Sequence, residues 1–233
     1  MARLYIFAEG QTEQTYGDTV LKYHLATFRV YVQGPILIAH AKKKGKVHRG
    51  GGRKYLPMRN DIMRFLAQEK ASDTYFTTMI DLYAIHSDFP GLAEAEKVQH
   101  LPRQRVEQLE EAFASDIKDR RFIPHIQLHE FEAILFVNPT AFETFYADCA
   151  KQVAALQAIA QPYESPEEID DGAQTAPSKR IIDQFPDYEG AKRTAGPQIA
   201  ANIGVEAVRA KCPHFDAWLT RLEKLGDEPA ALN

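Results

Sequence analysis

The stretch Arg3-Leu4-Tyr5-Ile6-Phe7-Ala8-Glu9-Gly10-Gln11-Thr12-Glu13 decides how the rest of the chain is read. Leu4 to Ala8 is a short apolar run rich in aromatic and branched residues, the pattern of a strand buried on both faces. It stops at Glu9-Gly10. A carboxylate at the C-terminal end of a buried strand lies where open α/β sheets place their ligands. Gly10 is expected to turn the chain with positive φ or to let a ligand approach the backbone, and Thr12 to cap the helix that follows. A plain solvated Glu at a strand end is the competing reading, and later stretches bear on the choice.

Downstream, a helix is expected over 13–26, with Tyr16, Val20, Leu21, Tyr23 and His24 on a partly apolar face. A strand follows over 30–39. Gly34-Pro35 inside it argues for an edge position or a bulge. The next segment, His40 to Lys54, is too rich in glycine and too poor in apolar residues for a core element. It carries Lys42, Lys43, Lys44, Lys46, Arg49, Arg53 and Lys54. We read a basic loop suited to phosphate contact, since Lys and Arg neutralise backbone charge and release counterions. It matches no P-loop, having no Gly-Lys-Ser/Thr. The alternative is a solvated loop.

A helix over 56–70 has Ile62, Met63, Phe65 and Leu66 as core candidates. Then comes Tyr75-Phe-Thr-Thr-Met-Ile-Asp81, a second buried strand ending in a carboxylate. Helices between strands imply crossover connections and a parallel sheet. Parallel neighbours end at one edge, which predicts Asp81 near Glu9. The segment 82–91 holds His86 and Asp88. A helix over 102–117 leads to a strand over 121–128, where Pro124 again signals an edge or a bulge. Leu128-His129-Glu130-Phe131-Glu132-Ala-Ile-Leu-Phe136 then runs from strand into apolar helix. Positions three apart share a helix face, so His129 and Glu132 are expected to point together. The same His and two Glu also suit a purely capping role.

Beyond 138 the pattern is helical throughout, with pieces over 142–146, 150–160, 176–182, 188–192, 196–203, 206–211 and 212–219 and an acidic loop over 164–171. The expected organisation is an α/β core over 1–138 and a helical C-terminal region over 139–233 packed on it.

Composition narrows the class. The chain has 233 residues, 45% apolar and 26% charged, as in ordinary globular proteins. No apolar run has the length of a membrane span, and with a strand expected from the first residues no secretory signal is expected. Two cysteines, Cys149 and Cys212, have no metal-ligand spacing. A reducing, cytoplasmic setting is expected. The net charge of −4 hides an asymmetry. Residues 19–60 hold ten Lys/Arg and no Asp/Glu, whereas 61–233 hold 17 Lys/Arg against 29 Asp/Glu, a balance of −12. A basic segment on an acidic body points to a local polyanion contact.

Glu9, Asp81 and the His129/Glu130/Glu132 group are thus predicted at element ends along one sheet edge. Carboxylates gathered this way repel unless a cation sits between them, and Mg²⁺ or Mn²⁺ takes oxygen ligands together with substrate phosphates. With the basic loop, the sum is a metal-assisted phosphoryl-transfer site.

Four stretches resemble the DUF4276 family: Phe7-Ala-Glu-Gly-Gln-Thr-Glu13; Ile80-Asp-Leu-Tyr83 with Asp88-Phe-Pro-Gly91; Leu128-His-Glu-Phe-Glu-Ala-Ile-Leu-Phe136; and Cys212-Pro-His-Phe-Asp-Ala-Trp218. The resemblance spans nearly the whole chain, and His-Glu-Phe-Glu is its most specific part. The family is similar to Toprim domains, including those of overcoming-lysogenization-defect nucleases. That resemblance implies a Toprim-like, Rossmann-like, mostly parallel sheet flanked by helices. It implies a divalent-metal nuclease site with Glu9 as first-strand acid and Asp81 as second-strand acid. It also implies an AAA- or ABC-type ATPase partner and a context of anti-phage defence. Toprim domains usually carry Asp-x-Asp on the later strand, whereas this chain has Asp81-Leu-Tyr83. Asp88, Glu130 or Glu132 are the candidates to replace the missing acid. The second hypothesis is a catalytically silent partner that binds DNA or RNA or docks on an ATPase.

Overall fold

The structure, a computed structural model, describes residues 1–38, 54–169 and 175–227. The basic loop from Lys42 to Arg53 and the end of the acidic loop lie outside the described residues.

Strand β1 (Ala2–Ala8) is followed by helix α1 (Gln11–Tyr16), a π-helical turn (Gly17–Leu21) and α2 (Lys22–Ala26), one continuous helical stretch. Strand β2 (Val30–Leu37) comes next, then α3 (Tyr55–Gln68), β3 (Thr74–Asp81), α4 (Leu92–Ala95), α5 (Pro102–Ile117), and the short strands β4 (Phe122–Ile123) and β5 (Ile126–Gln127). All pairings are parallel and the order is β2-β1-β3-β4, with β5 also on β3. The two proline signals hold for the stated reason: a residue without an N–H cannot serve a central ladder. β2 is an edge strand whose register on β1 shifts between Leu4 and Ile6, opposite Pro35. The strand expected over 121–128 is split at Pro124 into β4 and β5.

β1 is central and buried on both faces, as its sequence requires. Leu4 and Ile6 join one apolar cluster with Tyr16, Leu21 and Leu25 of the first helical stretch. Phe7 joins the opposite cluster with Ile62 and Leu66 of α3 and Leu109 and Phe113 of α5. Burying side chains of this size stabilises by about 1.5–3 kcal/mol each, so the alternation along β1 alone anchors both helix layers. Met63 and Phe65, expected in the core, are only half-buried on α3, and Tyr23, expected on the apolar face of the first helix, is exposed because that face turns towards the sheet through Tyr16, Leu21 and Leu25 instead.

The C-terminal half is helical: two 3₁₀ stretches (Phe131–Val137 and Pro139–Thr144), α6 (Ala150–Ala160), α7 (Pro177–Gln184), α8 (Tyr188–Ile203), α9 (Val205–Lys211) and α10 (Pro213–Lys224). Ile199 of α8 and Phe215, Leu219 and Leu222 of α10 share the cluster that covers the Leu4/Ile6 face of β1. Trp218 Nε1 donates to Thr77 Oγ1 of β3 at 2.8 Å, pinning α10 to the sheet. One expectation is corrected here. The pieces over 188–192 and 196–203 form the single helix α8, which carries Pro197 inside it. Proline removes the donor for the carbonyl four residues back. That residue, Arg193, is exposed, so water can serve its carbonyl. Gly196 fits the same turn because a Cβ there would come within 2.9 Å of the Tyr188 hydroxyl.

Candidate functional site: a carboxylate cluster at the sheet's switch point

From β1 the chain crosses over one face to reach β2 on one side, and from β3 it crosses the other face to reach β4 on the other. Opposite directions on opposite faces keep one handedness of crossover. They also create a switch point between β1 and β3, the place where open α/β sheets leave a crevice beyond their strand ends. Glu9 follows the last residue of β1 and Asp81 is the last of β3.

The two acids meet as the sequence predicts. Glu9 N–H donates to the Met79 carbonyl at 2.9 Å, continuing the ladder, and Asp81 N–H donates to Glu9 Oε2 at 2.9 Å. Asp81 Oδ1 in turn accepts from the Phe131 N–H at 3.0 Å, which draws the His129–Glu132 stretch onto the same edge. Burial raises the Asp81 carboxyl well above the usual carboxylate range, and the charges of Glu9, Glu13, Glu130 and Glu132 add to it. Five carboxyl groups therefore act on one another at this edge.

Glu13 is the member that sequence reading misses as a candidate. Its Oε2 accepts from the Gly10 N–H at 2.7 Å. Burial, then Glu9 and Glu132, push its carboxyl up to about 7. The spacing of four from Glu9 across a helix start is the available signal. Two expectations on this turn are corrected. Gly10 has φ −136° and ψ −176°, an extended backbone rather than a left-handed one. A Cβ on Gly10 would meet Glu13 Oε2 at 2.9 Å, so the glycine permits a close carboxylate. Gly10, not Thr12, is the N-cap of α1, and Glu13 supplies the cap bond.

His129 and Glu132 do not share a helical face. His129 is buried with φ +63°, in the left-handed region, and Glu130 is extended, so the 3₁₀ stretch begins only at Phe131. The reversed backbone at His129 turns the chain from β5 back over the sheet edge. Its carbonyl accepts from Tyr83 N–H at 3.3 Å, and its ring lies 6.0 Å from that of Tyr83. Glu130 Oε1 accepts from Ser178 N–H in the first turn of α7. Burial and the neighbouring Glu132 raise Glu130 to about 7 despite that bond. Glu132 Oε1 accepts from the Tyr188 hydroxyl at 3.4 Å and lies 3.4 Å from Lys192 Nζ on α8. Sequence reading does not find Tyr188 and Lys192, because no local signal links α8 to a strand end far upstream.

Asp88 is placed elsewhere. Its Oδ1 accepts from Tyr55 N–H at the head of α3 at 3.0 Å and lies 2.8 Å from His86 Nδ1. Burial pushes that carboxyl up, but these bonds outweigh it and leave it lowered. Lys54, the one described member of the basic set, is exposed just before α3.

A second group differs from this cluster in composition: Glu110, His125 and His214 bring one ligand atom each within 4.8 Å of the others. His214 lies in the Cys212–Trp218 stretch, but nothing in the sequence joins it to Glu110, 104 residues upstream, or to His125.

A parallel α/β sheet with a carboxylate cluster at its switch point defines the class of this protein. The chain belongs to the DUF4276 family, described as a domain of unknown function, whose pattern matches residues 8–223. No curated protein matches the chain. Among solved structures it is similar to the C-terminal region of the Burkholderia pseudomallei OLD protein, at 14% identity and a TM-score of 0.47, covering 97% of this chain and 99% of that one. Among the described residues no helix is long and apolar enough to cross a membrane.

Proposed function

We propose that this protein is a divalent-metal-dependent nuclease that hydrolyses phosphodiester bonds in DNA or RNA. The observation that carries the reading is the convergence of Glu9, Glu13, Asp81, Glu130 and Glu132 at the switch point, with raised carboxyls at Glu13, Asp81 and Glu130. Like charges held together at such a cost are a hallmark of functional sites. All donors are carboxylate oxygens, which suits Mg²⁺ or Mn²⁺.

Glu9 and Asp81 would hold the metal, since both end adjacent strands and are linked by the Asp81 N–H. Glu13 and Glu130 would complete the set that Asp-x-Asp supplies in Toprim domains, with Asp88 committed to the start of α3. A bound cation would supply charge for the scissile phosphate and a more acidic water. Glu132, set between Tyr188 and Lys192, would handle the proton, and Lys192 would approach a phosphate oxygen. His129 would orient the Tyr83 segment or the attacking water. Lys42, Lys43, Lys44, Lys46, Arg49, Arg53 and Lys54 would follow the nucleic-acid backbone, a role supported by charge alone. Residues 1–138 would carry the site and 139–233 would brace it through α7, α8 and α10. The Toprim resemblance adds a context: a cytoplasmic effector of anti-phage defence beside an AAA- or ABC-type ATPase.

The silent-partner reading draws on one observation. Glu130 is bonded to Ser178 N–H and Glu132 to Tyr188, so both have structural work without a metal. Calorimetric titration with Mn²⁺ and Mg²⁺ separates the readings. Wild type should bind, and Glu9→Gln, which keeps shape and removes charge, should bind at least about tenfold more weakly. Equal Mn²⁺ affinity in wild type and Glu9→Gln would move the site away from the strand ends.

A further inference from the structure

The stretch Cys212-Pro213-His214-Phe215-Asp216-Ala217-Trp218 has no part in the carboxylate site, yet it delivers a histidine to the far edge of the sheet. His214 lies in the first turn of α10 and is buried. Its Nε2 is 3.0 Å from Glu110 Oε1 on α5. His125, between β4 and β5, places Nδ1 3.6 Å from the same oxygen. The His125 ring is fully buried, stacked 4.2 Å from Trp218 and 5.0 Å from His214. Its backbone is fixed on both sides by Thr78 Oγ1, which accepts from its N–H and donates to its carbonyl, each at 2.8 Å.

Two facts set this group apart from an ordinary ion pair. First, a His214–Glu110 pair accounts for those two side chains but leaves both His125 ring nitrogens, among the described residues, short of a hydrogen bond of full geometry, the Gln127 side chain being a polar group that acts on the ring. A buried polar group left so costs about 1–3 kcal/mol. Second, the two spacings from Glu110 Oε1 fit a cation, and all three ligand atoms lie within 4.8 Å of one another. Ligands about 2.0–2.2 Å from a tetrahedral Zn²⁺ lie roughly 3.3–3.6 Å from one another. The separations from Glu110 Oε1, 3.0 and 3.6 Å, bracket that edge. The Ile126 carbonyl, 3.2 Å from His214 Nε2, lies against the same group.

We propose that Glu110, His125 and His214 bind one divalent cation of the Zn²⁺ class, at a site separate from the carboxylate cluster and independent of its function. Two imidazoles and one carboxylate favour a borderline metal over Mg²⁺, which takes oxygen ligands. The three ligands come from α5, the β4–β5 junction and α10. The cation would therefore tie the C-terminal helix to the sheet edge, beside the Trp218–Thr77 bond. Its role is to hold the two halves of the chain together.

The test uses the full chain with Co²⁺ and Zn²⁺ as probes. Wild type should take up one Co²⁺ with the intense visible bands of tetrahedral coordination, and Zn²⁺ should displace it and raise Tm. His125→Phe, which keeps a ring on Trp218, and Glu110→Gln should each weaken Co²⁺ binding at least about tenfold. Glu9→Gln should leave the Co²⁺ spectrum unchanged, which separates this site from the carboxylate cluster. A folded wild type with no tetrahedral Co²⁺ spectrum overturns the proposal. So does a spectrum that survives in Glu110→Gln or is lost in Glu9→Gln. If His125→Phe does not fold, the wild-type spectrum and Glu110→Gln decide.

Discussion

Glu13→Gln should make the metal-free protein more stable, and only at the higher pH. The Glu13 carboxyl stands at about 7 in the folded chain against an ordinary 4.5, a rise of 7 − 4.5 = 2.5. Below the unfolded value both states hold the proton and the site costs nothing. Between about 4.5 and 7 the unfolded chain ionises while the folded chain keeps its proton, so wild-type stability falls as pH rises. Above about 7 both states are ionised and the loss is complete. At about 1.36 kcal/mol per pH unit the ceiling is about 3 kcal/mol. Burial is the largest part of that rise, and Glu9 and Glu132 add a part that they share with Glu13, so the gain for one residue lies at or below the ceiling. Glutamine removes the charge but keeps an oxygen for the Gly10 N–H. For a chain this long, 1 kcal/mol moves Tm by about 2–4 °C, which gives a gain of up to about 6–12 °C. The assay is thermal unfolding by circular dichroism in chelator, at about pH 4 and about pH 8. Saturating Mn²⁺ should then reverse the order, because only wild type keeps the full charge set. A Glu13→Gln gain that is equal at both pH values, or absent at the higher one, would refute the reasoning.

Two further outcomes follow from the proposed function. Glu132→Gln and His129→Ala should each lower metal-dependent cleavage of nucleic acid at least about tenfold, since a positioned acid–base group contributes ~10²–10⁴-fold; an unchanged rate per folded molecule with a large loss of Tm would make the pair structural. Replacing Lys42, Lys43, Lys44 and Lys46 with Ala should flatten the log–log salt dependence of nucleic-acid binding, by about 0.7–0.9 for each phosphate no longer neutralised; an unchanged slope would show those lysines merely solvated.

Local chemistry is enough for the frame of this protein. An apolar run that stops at a carboxylate fixes both a buried strand and the place of its acid, because burial and strand end are properties of neighbouring residues. That is why Glu9 and Asp81 can be paired from sequence and are found joined by a hydrogen bond. Proline acts on its own backbone, so the edge at Pro35, the break at Pro124 and the helix start at Pro102 are legible too. Tertiary structure decides what depends on distant partners. Glu13 reads as an ordinary first-turn acid until Glu9, Asp81 and Glu132 surround it and burial raises its carboxyl. His129 reads as helical until the backbone reverses there to bring Phe131 N–H to Asp81. The pieces over 188–192 and 196–203 read as separate, but packing of Ile199 and Ala200 into the core outweighs the one donor that Pro197 removes and keeps α8 continuous. Glu110, His125 and His214 carry no shared local pattern, because three separate elements bring them together. Sequence periodicity reports which face of an element is apolar; only the packed chain decides which polar groups are left facing one another beneath it.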